Sequence, residues 1–216
     1  MISEFTDKLR SSGCTPLSGA ILSGILGDYD SPKDKLSYMT KQGDLIRLKR
    51  GLYCVSSKIT GKRFSSELIA NHLYGPSYVS LETALAYYNL IPERMAVTQS
   101  VVTRRAKTFQ TPVGRFTYQT VPDGYYSAGI RLEQCDTHCA FMMATPEKAL
   151  CDLLLLRSHL RITSEKAMRA FLEDYMRVDV TEIQNPDLSI IDACLATHHK
   201  VTELQCLRKV MEHDCV

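Results

Sequence analysis

The side chains most able to do chemistry in this chain are clustered cations. Residues 43–56 read GDLIRLKRGLYCVS and put Arg47, Lys49 and Arg50 at the tip of two short apolar runs. The runs have strand composition and Gly51 sits where a tight turn needs a positive φ, so the stretch reads as a β-hairpin. Just upstream, SPKDKLSYMTKQG carries Lys33, Lys35, Ser37, Tyr38 and Lys41. At about 100° per residue, Leu36, Met39 and Thr40 share one side of a helix, while Asp34, Ser37, Tyr38, Lys41 and Gln42 cover the other. Hydrogen-bonding groups beside a cation can read base edges, and guanidinium and ammonium groups on an adjoining hairpin can hold phosphates. Lys58, Lys62 and Arg63 extend the basic character. A further cluster, VTRRAK, holds Arg104, Arg105 and Lys107 between two strand-like runs. It reads as a second backbone-contacting patch, a contact for a protein partner, or a solvated turn.

Other constellations suggest different chemistry. CDTHC and the later CLATHH offer Cys135, His138, Cys139, Cys194, His198 and His199 as zinc ligands. Read as one strand, 135–144 separates Cys135 from Cys139 by about 13 Å at roughly 3.3 Å per residue. Two thiolates on one zinc sit no more than about 4 Å apart, so no metal site is expected there. Cys151 falls in the apolar run of a helix and reads as a core thiol. Glu147, Lys148 and Asp152 have the spacing of a capping turn and its solvent side, not of a metal nuclease. No glycine loop able to cradle phosphate is present. No cofactor is expected.

Helices must position these groups. ISEFTDKLRSSG places Ile2, Phe5 and Leu9 at helical spacing. TPLSGAILSGIL opens with Thr15 as expected N-cap and Pro16 at the first helical position, and Ser31-Pro32 repeats that opening before Gly43 closes the third helix. Three helices followed by a basic hairpin is the order of a winged helix-turn-helix. Beyond residue 64, helices are expected in FSSELIANHLYG and from Ser80 to about Asn89. Strands are expected over 95–103 and 107–121, the latter a hairpin turning at TPVG, and in YSAGIRL and CDTHCAFMMA. TPEKALCDLLLLRSHL reads as a helix opened by Thr145-Pro146, with helical stretches near 163–177, 187–198 and 201–213 after it. The expected fold is α+β: a winged helix-turn-helix over residues 1–60, then a mixed sheet-and-helix domain over 61–216.

The 216-residue chain is 44% hydrophobic and 23% charged, enough for a substantial core. Its net charge of +2 is unevenly spread. Residues 1–131 carry 17 Lys and Arg against 10 Asp and Glu, whereas residues 132–216 carry 9 against 14. Such asymmetry suggests that the first part meets a polyanion. No apolar run approaches the roughly 20 residues of a membrane helix. The start, MISEFTDKLR, lacks the apolar core of a secretory signal. With the eight cysteines scattered, reduced thiols and a cytoplasmic location are expected.

Three stretches, in order, resemble the AbiEi family, the antitoxins and transcriptional repressors of abortive-infection (type IV) toxin–antitoxin systems of phage defence. GDLIRLKRGLY looks like that family's wing. YVSLETALAYYNLIPE with VTRRAKTFQTPVGRFTYQ is similar to the start of its C-terminal domain, and ATPEKALCDLL to a later helix opening. The likeness covers about residues 1–155. It implies a reading helix over Lys33 to Lys41, a wing of Arg47, Lys49 and Arg50, and a basic C-terminal patch at Arg104, Arg105 and Lys107. It also implies a non-enzymatic autorepressor that binds inverted repeats in its own promoter. The resemblance further implies that a cognate nucleotidyltransferase-like toxin is countered without a stable complex. The acidic balance after residue 131 departs from a DNA-facing role for that part. The rival readings are a nuclease-like, nucleic-acid-processing enzyme targeted by a winged helix, and a module whose winged helix binds a protein.

Overall fold

The computed structural model describes residues 2–27, 29–93, 95–136 and 139–214. The chain opens with α1 (Ile2–Ser11), β1 (Leu17–Ser18), α2 (Gly19–Ile25), α3 (Pro32–Gln42) and the hairpin β2 (Leu45–Lys49) and β3 (Leu52–Val55). Leu9 of the expected α1 face is buried, while the side chains of Ile2 and Phe5 lie outside the described residues. α3 ends as the sequence suggests: the N–H groups of Gly43 and Asp44 turn back to the carbonyls of Thr40 and Met39 at 3.2 and 3.0 Å. Arg50 and Gly51 form the hairpin's two-residue loop, with Gly51 at φ 76°.

The second helix departs from expectation. Thr15 and Pro16 do not start it; Leu17 and Ser18 instead pair with Tyr53 and Leu52 as a third strand, giving the sheet order β1-β3-β2. Ser18 is the N-cap, its hydroxyl accepting the Ile21 N–H at 3.2 Å. A ladder to a strand far along the chain outweighs the local Thr-Pro signal.

Next come α4 (Ser57–Thr60), α5 (Ser66–Leu73), β4 (Tyr78–Val79), α6 (Leu81–Tyr87), β5 (Val97–Val102), β6 (Lys107–Thr111), β7 (Gly114–Thr120) and α7 (Asp123–Tyr126). β8 (Ile130–Asp136), β9 (Cys139–Ala144), α8 (Pro146–Leu156), α9 (Glu165–Ala170) with a π-helical turn over Phe171–Tyr175, α10 (Leu188–Leu195) and α11 (Val201–Asp214) complete the molecule. The fold is mixed α+β. Six strands form one sheet in the order β6-β7-β5-β4-β9-β8. β5 runs parallel to β7 and β4 to β9, the other neighbours being antiparallel. No helix among the described residues is long and apolar enough to cross a membrane.

Two cores result. Leu9, Leu17, Leu22, Leu26, Leu36, Met39, Leu45 and Val55 pack between the first three helices and one face of the small sheet. Cys14, Leu48, Leu52 and Cys54 join the large core that holds α5, α6, α8 and the six-stranded sheet. The hairpin therefore belongs to both: alternate residues of β2 and β3 face opposite ways, as the period of a strand requires. α4 ends at Thr60, near where a boundary is expected, and the β2–β3 hairpin before it packs into the large core.

α8 corrects the sequence reading. Thr145 caps it, its hydroxyl accepting the Lys148 N–H at 3.3 Å, but Lys148 and Asp152 are fully buried instead of lying on a solvent side. Lys148 Nζ lies 3.2 Å from Asp152 Oδ1, off the angle of a hydrogen bond. It donates to the Tyr125 carbonyl at 2.8 Å and sits 3.4 Å from the centre of the Tyr125 ring. Asp152 Oδ2 accepts the Ser80 hydroxyl at 2.6 Å. Burial pushes the Asp152 carboxyl up, opposed by Lys148 and Ser80. The Cys194 thiol, 3.8 Å from Lys148 Nζ, is brought down to about 7 by a hydrogen bond from Cys151, with the Lys148 charge assisting. Glu147 accepts the Asp187 N–H at 3.1 Å, fastening the start of α10.

Gly129 makes this packing possible. It has φ +64°, and a Cβ there would stand 2.6 Å from Ile190 and 2.7 Å from Lys148 Cβ. Gly129→Ala is expected to cost about 1–3 kcal/mol through strain and overpacking, read as a lower denaturation midpoint. A midpoint equal to wild type would show that α8 and α10 are not held as tightly as described.

Candidate nucleic-acid interface

α3 buries Leu36 and Met39 and turns Lys33, Ser37, Tyr38 and Lys41 to solvent, with Tyr38 55% exposed. Ser31 donates its hydroxyl to Asp34 Oδ2 at 2.6 Å and so engages the one carboxylate in the first turn. Lys35 is held differently. Its Nζ lies 5.0 Å from the Tyr29 ring centre and 5.5 Å from that of Tyr38, so the ammonium sits between two aromatic faces.

At the hairpin tip, Arg47 and Arg50 are exposed, and among the described residues neither is in an ion pair. Lys49 is tethered: Nζ donates to the Leu73 carbonyl at 2.5 Å. That carbonyl belongs to the last turn of α5, where backbone acceptors lack helical partners and the helix dipole favours a cation. Burial lowers the Lys49 pKa, and the charge of Lys107 lowers it further.

Lys107 reveals a proximity absent from the linear order. It starts β6 beside the hairpin, its Nζ 4.8 Å from the Phe109 ring centre and 5.5 Å from that of Tyr74. Arg104 and Arg105 precede it with exposed side chains, while their backbone is pinned. Thr120 donates its hydroxyl to the Arg104 carbonyl at 2.7 Å, and Tyr74 donates to that of Arg105 at 3.1 Å. The clusters 47–50 and 104–107 thus adjoin through Lys49 and Lys107. Tyr29 and Tyr74, the aromatic shelves under Lys35 and Lys107, were not singled out by sequence; Tyr74 is 33 residues from Lys107, and no local pattern links them. Lys58 and Arg63 are exposed, but Lys62 forms an ion pair with Asp136.

The cysteine geometry also differs from expectation. The run 135–144 is not one strand. Cys135 lies near the end of β8 and Cys139 opens β9, with Asp136 paired to Cys139 across an antiparallel ladder. The thiols of Cys14, Cys135 and Cys139 come within 4.8 Å of one another. Burial, with the neighbouring Cys139 and Cys135, pushes the Cys14 thiol up to about 12. His138, also considered as a ligand, lies outside the described residues. Cys194 belongs to the Lys148 network, and His198 and His199 are exposed and apart from the cluster.

A scan against models of known protein families gives no match, and a search of curated proteins gives none.

Proposed function

We propose that residues 1–60 form a winged helix-turn-helix that binds double-stranded DNA, and that the protein is a transcriptional autorepressor and type IV antitoxin. One observation carries the DNA-binding reading. A helix with an outward hydrogen-bonding face, α3, is followed by an antiparallel hairpin whose tip presents Arg47 and Arg50 without ion-pair partners among the described residues. The pairing of β1 with β3 supports the same reading, since a strand between the first two helices completes a winged helix sheet. In this account α3 enters the major groove, with Ser37, Tyr38 and Lys41 at base edges and Lys33 beside them. Arg47 and Arg50 hold the phosphates that fix its register. Arg104, Arg105 and Lys107 continue the cationic track, while Lys35 and Lys49 act mainly by bracing the helix and the hairpin.

The resemblance to the AbiEi family supplies the rest of the proposal: promoter inverted repeats as operator, and a nucleotidyltransferase-like toxin opposed without a stable complex. The role is non-catalytic. Binding of the purified chain to the duplex upstream of its own coding sequence tests it, with a shuffled duplex as control. The native duplex should bind more tightly by about 10³-fold or more; equal binding to both would overturn sequence-specific repression. Ser37→Ala and Tyr38→Ala should each lower that preference roughly tenfold while leaving shuffled-duplex affinity unchanged.

A further inference from the structure

We propose that Cys14, Cys135 and Cys139 are three ligands of a structural zinc ion that joins the loop after α1 to the β8–β9 hairpin. The three thiols arrive from separate places. Cys14 follows α1, and Cys135 and Cys139 lie on paired strands more than a hundred residues later. The β8–β9 register shifts between Gln134 and Asp136, leaving Cys135 as the unpaired residue of the ladder. A bulge of this kind re-aims a side chain.

Distance and donor type both suit zinc. Around a tetrahedral ion with Zn–S bonds near 2.3 Å, sulfurs stand about 3.8 Å apart. The separations here are at most 4.8 Å, so closing the site takes movements of about 1 Å or less, within the reach of χ1 adjustment. An all-sulfur set selects a borderline or soft cation over magnesium or calcium. Three converging thiols also exceed what one disulfide can use.

The surroundings fit a metal–thiolate group. Thr15 Oγ1 lies 3.2 Å from Cys139 Sγ, where its hydroxyl can donate to a thiolate. Zinc with three thiolates carries one net negative charge, and the cleft of about 400 Å³ onto which Cys14 and Cys135 open is lined by Arg63 and by Lys62 with its ion-pair partner Asp136, so the Arg63 cation is left to offset that charge. Because Cys14 and Cys135 are 121 residues apart, the ion closes a long loop and ties the three-helix unit to the far edge of the large sheet.

The test uses the full chain purified with its thiols reduced, loaded with zinc and desalted. The expected result is one zinc per chain by elemental analysis. Cobalt in its place should give thiolate-to-cobalt charge-transfer absorption and the intense visible bands of tetrahedral geometry. The variant carrying C14S, C135S and C139S should lose both signals, whereas C206S, at a buried thiol elsewhere, should keep them. Zinc should raise the melting temperature of wild type by several degrees and leave the triple variant unmoved. Absence of retained zinc overturns the proposal, as does a cobalt spectrum without thiolate charge transfer. A disulfide among the three in protein kept reduced overturns it too. The wild-type cobalt spectrum decides the matter even if the triple variant does not fold.

Discussion

Replacing Asp152 by Ala is expected to cost about 3–5 kcal/mol of folding stability, the effect of removing one partner of a buried ion pair. Against a total of roughly 5–15 kcal/mol for a typical domain, that is about a fifth of the margin or more. The substitution leaves the Lys148 ammonium fully buried with the Tyr125 carbonyl and ring and the Cys194 thiol for company, and removes the acceptor of the Ser80 hydroxyl. Neither group can reach water. Lys148→Met together with Asp152→Leu should recover most of the loss, because two apolar side chains leave no uncompensated charge. Denaturant unfolding of the full chain measures both. A single variant within about 1 kcal/mol of wild type would mean that the pair is more hydrated than the structure describes.

The second large effect concerns the hairpin tip. Arg47→Ala with Arg50→Ala should weaken binding to native and shuffled duplexes alike, by roughly 10–100-fold at low salt, and reduce the slope of log affinity against log salt by about 2. Folding should be unaffected, since both side chains are exposed. Lys49→Ala should behave differently. Its ammonium is committed to the Leu73 carbonyl, so the change lowers stability by about 1 kcal/mol and moves the salt slope less than either arginine does. Equal slopes for wild type and the double variant would remove the arginines from the interface.

How much of this was legible in the sequence depended on whether the signal was local. Ser31-Pro32 and Gly43 delimit α3, Arg50-Gly51 marks the hairpin loop, and Thr145-Pro146 opens α8, because caps and turns are decided by neighbours in the chain. Thr15-Pro16 carries the same local signal and misleads, since the next two residues are recruited as a strand by β3. Lys148 and Asp152 look like any exposed i, i+4 pair. Their burial is imposed by Tyr78, Tyr125 and Ser80 from other elements, and by the missing side chain at Gly129. The cysteines failed for a related reason. The strand-forming residues of both β8 and β9 concealed the break between the two strands, and Cys14 lies 121 residues before Cys135 in the sequence. The face of α3 followed from periodicity, whereas the meeting of Lys49 with Lys107 depends on how two sheets pack and no spacing encodes it.

Contact of α3 and the hairpin with DNA is read out by amide hydrogen exchange on the full chain, with and without its upstream duplex. The proposed interface predicts slowed exchange over residues 33–51 and at 104–107 on adding the duplex, with α10 and α11 unchanged. A bound complex that leaves 33–51 exchanging as in the free protein would contradict it.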